Sequence, residues 1–365
     1  MSTVTEPARS ETRPDVKQQA GMLLGHVAGY VGTRTIQLGL RVGLIEALAD
    51  AERGLTPDEL AVEVDIDPFY AEVWCRAAIG AGLLERDGTS DAAHDGANDA
   101  ARDGGRLRLA DHLDDLLLTG DHPAHVGAVV RIFEHPEIFD RFGERLATGE
   151  RTWWDQCSPD FIGGVAATGL PFYVRLIPGG LSQVPGLEDV LQGPARVLDT
   201  ACGAGAGLVR LGETYPDVSL TGADGDRASL DRAAQAVADA GLEDRVEFVH
   251  TPLEELDHDE EFDLVINNIS MHECRDIDEV TARIRRALRP GGWFVISDFP
   301  FPDTDEGLAS VPGRIMSAIQ FFEAQIDDQL LPRHVYDDLL VRHGFTDLGS
   351  AELAPVHALT WARKD

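Results

Sequence analysis

The stretch VLDTACGAGAGLVRL, residues 197–211, decides the fold. RVLDTA is an apolar run that reads as a buried strand, and the apolar spacing after Gly205 reads as a helix running to about Thr214. Gly203 and Gly205 stand at the turn between them, where the lack of a Cβ lets a bulky ligand approach the backbone. An acid follows about 20 residues on, at the end of the next strand VSLTGAD: Asp224, where a ribose-binding carboxylate is expected. Strands RVEFVH, FDLVINN and WFVISDF alternate with helices over 227–240 and 277–287, the mark of a parallel α/β sheet. A helix around 332–343 leads to FTDLGSAEL and VHALTWARK, which can close the sheet as an antiparallel hairpin. Asp276 and Glu279 have the spacing of a helix capping box.

A dinucleotide fold fits the same outline, but the loop reads D-x-A-C-G-x-G rather than G-x-G-x-x-G. That form resembles the nucleoside-binding loop of class I S-adenosylmethionine-dependent methyltransferases. LRPGGWFVISDF (288–299) is similar to their turn into the fifth strand, and the resemblance covers about residues 176–365. It implies a Rossmann-like sheet and S-adenosylmethionine as cofactor. Carried over by position, Gly203 and Gly205 lie against the amino-acid part of the cofactor. Asp199 orients the loop and reaches the cofactor's ammonium group, directly or through water, and Asp224 accepts both ribose hydroxyls. Leu253 and Asn268 complete the cofactor set. Two positions depart from the family pattern. Ala201 stands where a third glycine is common, and Pro252 stands where an acid often meets the adenine amine, leaving adenine to the backbone, Leu253 or Glu254.

NNISMHECRDIDEV, residues 267–280, follows the fourth strand, where the resemblance points the methyl group. His272 falls where methyltransferases acting on hydroxyls carry a general-base histidine, and imidazole titrates in the range that role needs. Many methyltransferases carry a histidine here with no such role. Acidic helpers are expected downstream among Asp298, Glu306, Glu323 and Asp327, which the sequence does not rank.

The preceding half reads differently. Residues 1–16 are polar and expected to be disordered, and 17–51 carry a helical apolar pattern. Thr56, Pro57 and Glu59 form a capping signature, a second helix spans 68–81, and 83–87 with 106–110 read as the strands of a winged helix. The acidic low-complexity stretch 88–105 is expected to be a disordered insertion at the wing tip. DNA binding is disfavoured because the second helix has Arg76 as its only base. By the same resemblance, 17–118 is an all-α winged-helix dimerisation domain, 119–190 a helical connector, and 191–365 the methyltransferase domain. The connector is broken by six prolines and rich in aromatics; Trp153, Trp154 and Phe161 are read either as packing or as one wall of an apolar substrate pocket.

The resulting expectation is methyl transfer from S-adenosylmethionine to a small-molecule hydroxyl, by a homodimer. A nitrogen- or carbon-directed relative, or a non-catalytic cofactor-sensing regulator, are the alternatives. Cys75, Cys157, Cys202 and Cys274 have no CxxC spacing and His94 and His122 no ligand spacing, so no metal site is expected. No run approaches ~18 apolar residues, and the polar N-terminus has no signal-peptide core, so the expected location is the cytosol. Acids number 64 against 31 basic residues, Lys17 and Lys364 are the only lysines, and the net charge is -33. Such a surface repels nucleic acid and anionic lipid, and it resembles proteins of salt-in halophiles. Carboxylate repulsion acts over a Debye length of about 10 Å at 0.1 M salt and about 3 Å at 1 M. The expected outcome is a melting midpoint that rises by roughly 10 °C from dilute buffer to molar potassium chloride. A midpoint independent of salt would remove the halophilic reading.

Overall fold

A computed structural model describes residues 14–86, 105–152 and 154–365. Most of the expected tail (1–13), Asp87 at the end of the first expected wing strand, nearly all of the acidic insertion (88–104) and Trp153 lie outside the described residues. Among them the chain divides into two compact units, meeting at Asp114 and Asp115.

The first unit opens with the helix Val16–Val42, capped by Asp15, which accepts from the Gln18 N–H while the Gln18 side chain returns the bond. The apolar pattern over 17–51 is divided: Gly43 takes φ 86°, ends this helix, and starts Leu44–Asp50. Thr56 and Glu59 form the expected box at Pro57–Glu63, and Asp67 caps Pro68–Gly80. β1 (Leu84–Arg86) pairs antiparallel with β2 (Leu107–Leu109). Arg106, just before β2, grips both oxygens of Glu59 at 2.6 and 2.7 Å, so one side chain serves helix cap and strand at once.

The second unit is built on seven strands: β3 (Arg196–Thr200), β4 (Ser219–Asp224), β5 (Val246–His250), β6 (Phe262–Asn268), β7 (Leu288–Asp298), β8 (Thr346–Ala354) and β9 (His357–Arg363). Their order is β5-β4-β3-β6-β7-β9-β8. β3 to β7 run parallel, and β9 and β8 are antiparallel additions, as the terminal hairpin pattern predicts. The strands read as continuous apolar runs because both faces are covered. Val197, Leu264, Ile266 and Val295 enter one buried cluster, while their neighbours Leu198, Val265, Phe294 and Ile296 enter the other. The chain leaves β3 towards β4 and β5, then returns to β6 on the other side. That reversal opens a crevice at the strands' C-terminal ends, where ligands bind in open α/β sheets.

The connector departs from expectation at Pro171. Pro159 begins a helix, with Ser158 as its cap, but Pro171 lies inside it and Pro159–Arg175 continues unbroken. An internal proline costs roughly 3 kcal/mol. Burying Phe172, Tyr173 and Val174, the three residues that follow, returns about 1.5–3 kcal/mol each, so burial wins. The stretch Pro159–Gln183 is also long and apolar enough, by length and composition, to cross a membrane, which the sequence reading did not expect, although its backbone leaves helical geometry at Ile177 (φ -114°, ψ 116°), just before Pro178. Its Phe161, Tyr173, Leu176, Ile177 and Leu181 are instead spent in the core clusters.

Candidate active site

The loop after β3 folds around two acids. Asp199 is fully buried, and the Tyr173 hydroxyl donates to both its oxygens at 3.2 and 3.1 Å. Burial pushes the Asp199 carboxyl up to about 7; the Tyr173 bond opposes this and the nearby Asp224 adds to it. Asp224 ends β4 and accepts from the Gly203 and Asp226 N–H groups, each at 2.8 Å, tying the glycine loop to the neighbouring strand. Burial raises Asp224 above the usual carboxylate range, against those two bonds.

The glycines are required for different reasons. Gly203 has open space but φ 54°, whereas Gly205 has φ 84° and a Cβ there would lie 3.0 Å from Ala233. Gly207, which the sequence reading missed, has ordinary helical backbone. A Cβ on it would meet the Tyr173 ring at 2.2 Å and Asp199 Oδ2 at 2.6 Å. Ala201 also sits at φ 53°, a left-handed conformation that glycine would take without strain. The three-glycine run G-A-G-A-G was the available signal for Gly207.

Past β5, Leu253 is half-buried in a short turn, Leu253–Glu255, begun by the exposed Pro252. Glu254 accepts from the Asp276 N–H at 3.4 Å. This corrects the capping box: Asp276 does cap Ile277–Ala287 by accepting from Glu279 N–H, but Glu279 binds Arg283 at 2.6 Å instead of returning the bond.

At the end of β6, the Asn268 amide oxygen accepts from Ser297 Oγ at 2.7 Å. Ser297 Oγ is 2.7 Å from His357 Nε2, and His357 Nδ1 accepts from Arg175 Nε at 2.9 Å. A guanidinium only donates, so Nδ1 is the acceptor and Nε2 carries the proton towards Ser297. Burial, reinforced by Arg175, lowers His357 to about 2 and keeps it neutral.

Four residues beyond Asn268 lies His272, its side chain 1% exposed. Its Nδ1 is 2.9 Å from both oxygens of Asp298, the last residue of β7. Asp298 also accepts from the Tyr336 hydroxyl and the Phe299 N–H, each at 2.7 Å. On the other side of the ring, Nε2 is 3.9 Å from Glu323 Oε2 and 4.0 Å from Glu273 Oε1. Burial alone would lower His272, but Asp298, then Glu323 and Glu273, raise it to about 10. Burial raises Glu323 to about 7, and Glu273 well above its ordinary range. Of the four expected helpers, the fold therefore brings Asp298 and Glu323 to His272. Asp327 pairs with Arg151 at 2.7 Å, and Glu306 lies in the short helix Asp305–Ala309. No metal site was expected, yet donor atoms of His272, Glu273 and Glu323 lie within 4.8 Å of one another.

Phe161 is fully buried, packed against Phe322 at 4.8 Å and Trp154 at 6.5 Å between ring centroids. It is core rather than open pocket wall; Trp154 is half-buried in the same cluster, and Phe322 adjoins Glu323.

The methyltransferase domain family matches residues 197–292. A fatty-acid O-methyltransferase of Mycolicibacterium smegmatis is 32% identical over 133 residues, which are 34% of this chain and 47% of that protein. The chain thus spans about half the length of that curated relative. A putative O-methyltransferase structure from Nostoc punctiforme superposes over 97% of this chain and all of its own, with TM-score 0.69 and 16% identity. Human N-acetylserotonin methyltransferase, solved with S-adenosylmethionine, superposes over 97% of this chain and 99% of its own, with TM-score 0.65 and 17% identity.

Asp224 provides the direct test of the cofactor site. Charge-assisted hydrogen bonds contribute about 1.5–3 kcal/mol each, so if Asp224 holds both ribose hydroxyls, as the family resemblance implies, its removal is expected to weaken S-adenosylmethionine binding by roughly 100-fold or more. Calorimetric titration of wild type and Asp224→Ala, with circular dichroism verifying the fold, measures it. Equal affinities would remove Asp224 from the cofactor set. The sheet order, the glycine loop and the superposed structures together give the second unit the Rossmann-like fold of class I S-adenosylmethionine-dependent methyltransferases, and within it residues 197–292 match the methyltransferase domain family.

Proposed function

We propose that the chain transfers a methyl group from S-adenosylmethionine to a hydroxyl on a small apolar or aromatic molecule, with His272 receiving the hydroxyl proton. The observation that carries this reading is His272 just beyond β6, its Nδ1 fixed by Asp298 and its Nε2 turned the other way. The cofactor supplies an electrophilic methyl on a sulfonium. The residues' task is to hold the acceptor oxygen in line with it and to take the proton as the oxygen–carbon bond forms and the carbon–sulfur bond breaks. Asp298 orients the ring for that purpose and stabilises the imidazolium that results. The O-methyltransferase names among similar proteins support a hydroxyl acceptor.

With His272 raised to about 10, the unliganded protein holds it protonated at neutral pH. A base must first lose that proton, so kcat/KM is expected to climb with pH towards 10. Removing the Asp298 charge lowers the His272 pKa, so Asp298→Asn should shift the climb to lower pH while reducing the maximal rate. His272→Ala should lose about 10²–10⁴-fold in kcat. These profiles need an acceptor, found by screening phenols and hydroxy acids with radiolabelled cofactor. A His272→Ala enzyme with an unchanged rate and pH profile would refute the base.

We also propose that a second copy of this chain covers the helix Val16–Val42. Met22, Leu23, Leu24, Val27, Tyr30 and Val31 are all more than half exposed on it, a run unusual on a monomer surface. Light scattering is expected to give a dimer for wild type and a monomer for Val27→Glu with Tyr30→Glu. A monomeric wild type would overturn this.

A further inference from the structure

Glu323 carries an oxygen that the proton-transfer reading leaves unexplained. Its side chain is 6% exposed, and its buried Oε2 has no hydrogen-bond partner. That atom faces His272 Nε2 at 3.9 Å, and Glu273 Oε1 faces the same nitrogen at 4.0 Å. The opposite nitrogen, Nδ1, is engaged by Asp298, which is itself held by Tyr336 and the Phe299 N–H.

We propose that His272 Nε2, Glu273 and Glu323 form a binding site for one divalent transition-metal ion of the zinc class, with Asp298 as the outer carboxylate that fixes the imidazole. Two carboxylates that face one imidazole nitrogen, Glu323 buried and Glu273 half-buried, are stabilised by positive charge between them, which the His272 proton supplies in the unloaded protein. A proton can satisfy one oxygen; a metal ion uses all three donors at once. One imidazole nitrogen with two carboxylates is a donor set suited to zinc, cobalt or iron rather than to magnesium or calcium. A carboxylate on the far nitrogen is the arrangement that sets the tautomer and raises the basicity of a metal-bound histidine. The three donor atoms lie within 4.8 Å of one another. Tetrahedral donors around zinc sit roughly 3.4 Å apart, from bonds of about 2.0–2.2 Å. Loading therefore requires Glu273, half-buried, and Glu323 to close that gap by side-chain rotation. The ion would occupy the lone pair that the proposed base uses, so the loaded protein has no free Nε2 and is silent in that mechanism.

Binding can be read without cofactor or acceptor, so its failure is separable from failure of the methyl-transfer reading. Cobalt is titrated into wild type, Glu323→Gln and Glu273→Gln in molar potassium chloride, which suppresses loose binding to a surface of charge -33. The visible cobalt absorption, equilibrium dialysis and thermal melts are followed. The expected result is one saturable ion per chain in wild type, with a d–d band of low-coordinate cobalt, and binding at least tenfold weaker in both variants at unchanged secondary structure. Glu273→Gln, at the more exposed position, keeps the test decisive if Glu323→Gln misfolds. Wild type without a saturable site, or variants that bind equally well, would overturn the proposal and leave Glu323 Oε2 to a proton.

Discussion

The carboxylate of Asp298 is the group on which the rest of the site leans. It ends the longest strand of the parallel sheet and gathers an imidazole, a phenol and a backbone N–H onto two oxygens. Those donors come from the turn after β6, from the helix Arg333–Arg342 and from its own chain. Three segments distant in sequence are thereby held at one point, nearly excluded from water. In such surroundings an unmatched charge is costly, so each partner fixes the others. The ring of His272 cannot rotate without stranding Asp298, and Glu273 and Glu323 face whatever Nε2 carries.

A second constraint operates at the glycine loop, and it is steric as much as electrostatic. Asp224 accepts from the backbone of Gly203, so the loop's shape is set from the adjacent strand. Gly205 allows the helix Arg227–Asp239 to pass against it, and Gly207 allows the Tyr173 ring and the Asp199 carboxylate to press against the helix that follows. Tyr173 comes from the connector helix, and so joins that layer to the sheet's most buried acid. The acids of this loop are burdened by burial, which favours a cationic or hydroxyl-rich partner over an anionic one.

The sheet could be read from the sequence because its signals are local. Buried strands are short apolar runs, helices carry Thr56, Asp67 and Asp226 at their starts, and the turn glycines fall between them. The same locality explains what was missed. Nothing near Tyr173 announces Asp199, and the sequence could not rank Glu323 above Glu306 or Asp327 because the ranking is made by where the helix Val311–Glu323 packs. Pro171 looked like a helix breaker because the rule concerns backbone alone, while the burial of the next three residues is a tertiary effect. Phe161 could have been wall or core from its type, and only its complete enclosure decides for core. Gly207 was hidden because its backbone is ordinary and the need for it lies in what stands opposite.

The chain of bonds from Arg175 through His357 and Ser297 to Asn268 has a built-in direction, because a guanidinium cannot accept. Every proton along it points the same way, and the NH₂ of Asn268 is left on the side away from Ser297. Arg175 stays charged up to about 10 and His357 stays neutral down to about 2. The polarity of this wire is therefore constant over the whole span in which carboxylates and ordinary histidines titrate. Its histidine answers to its surroundings oppositely from His272: burial and Arg175 hold His357 neutral, whereas Asp298 and the two glutamates hold His272 charged. The domain thus pairs a proton-exchanging cluster with an acid-proof brace at adjoining strand ends, and a change of pH can retune the one without turning the amide held by the other.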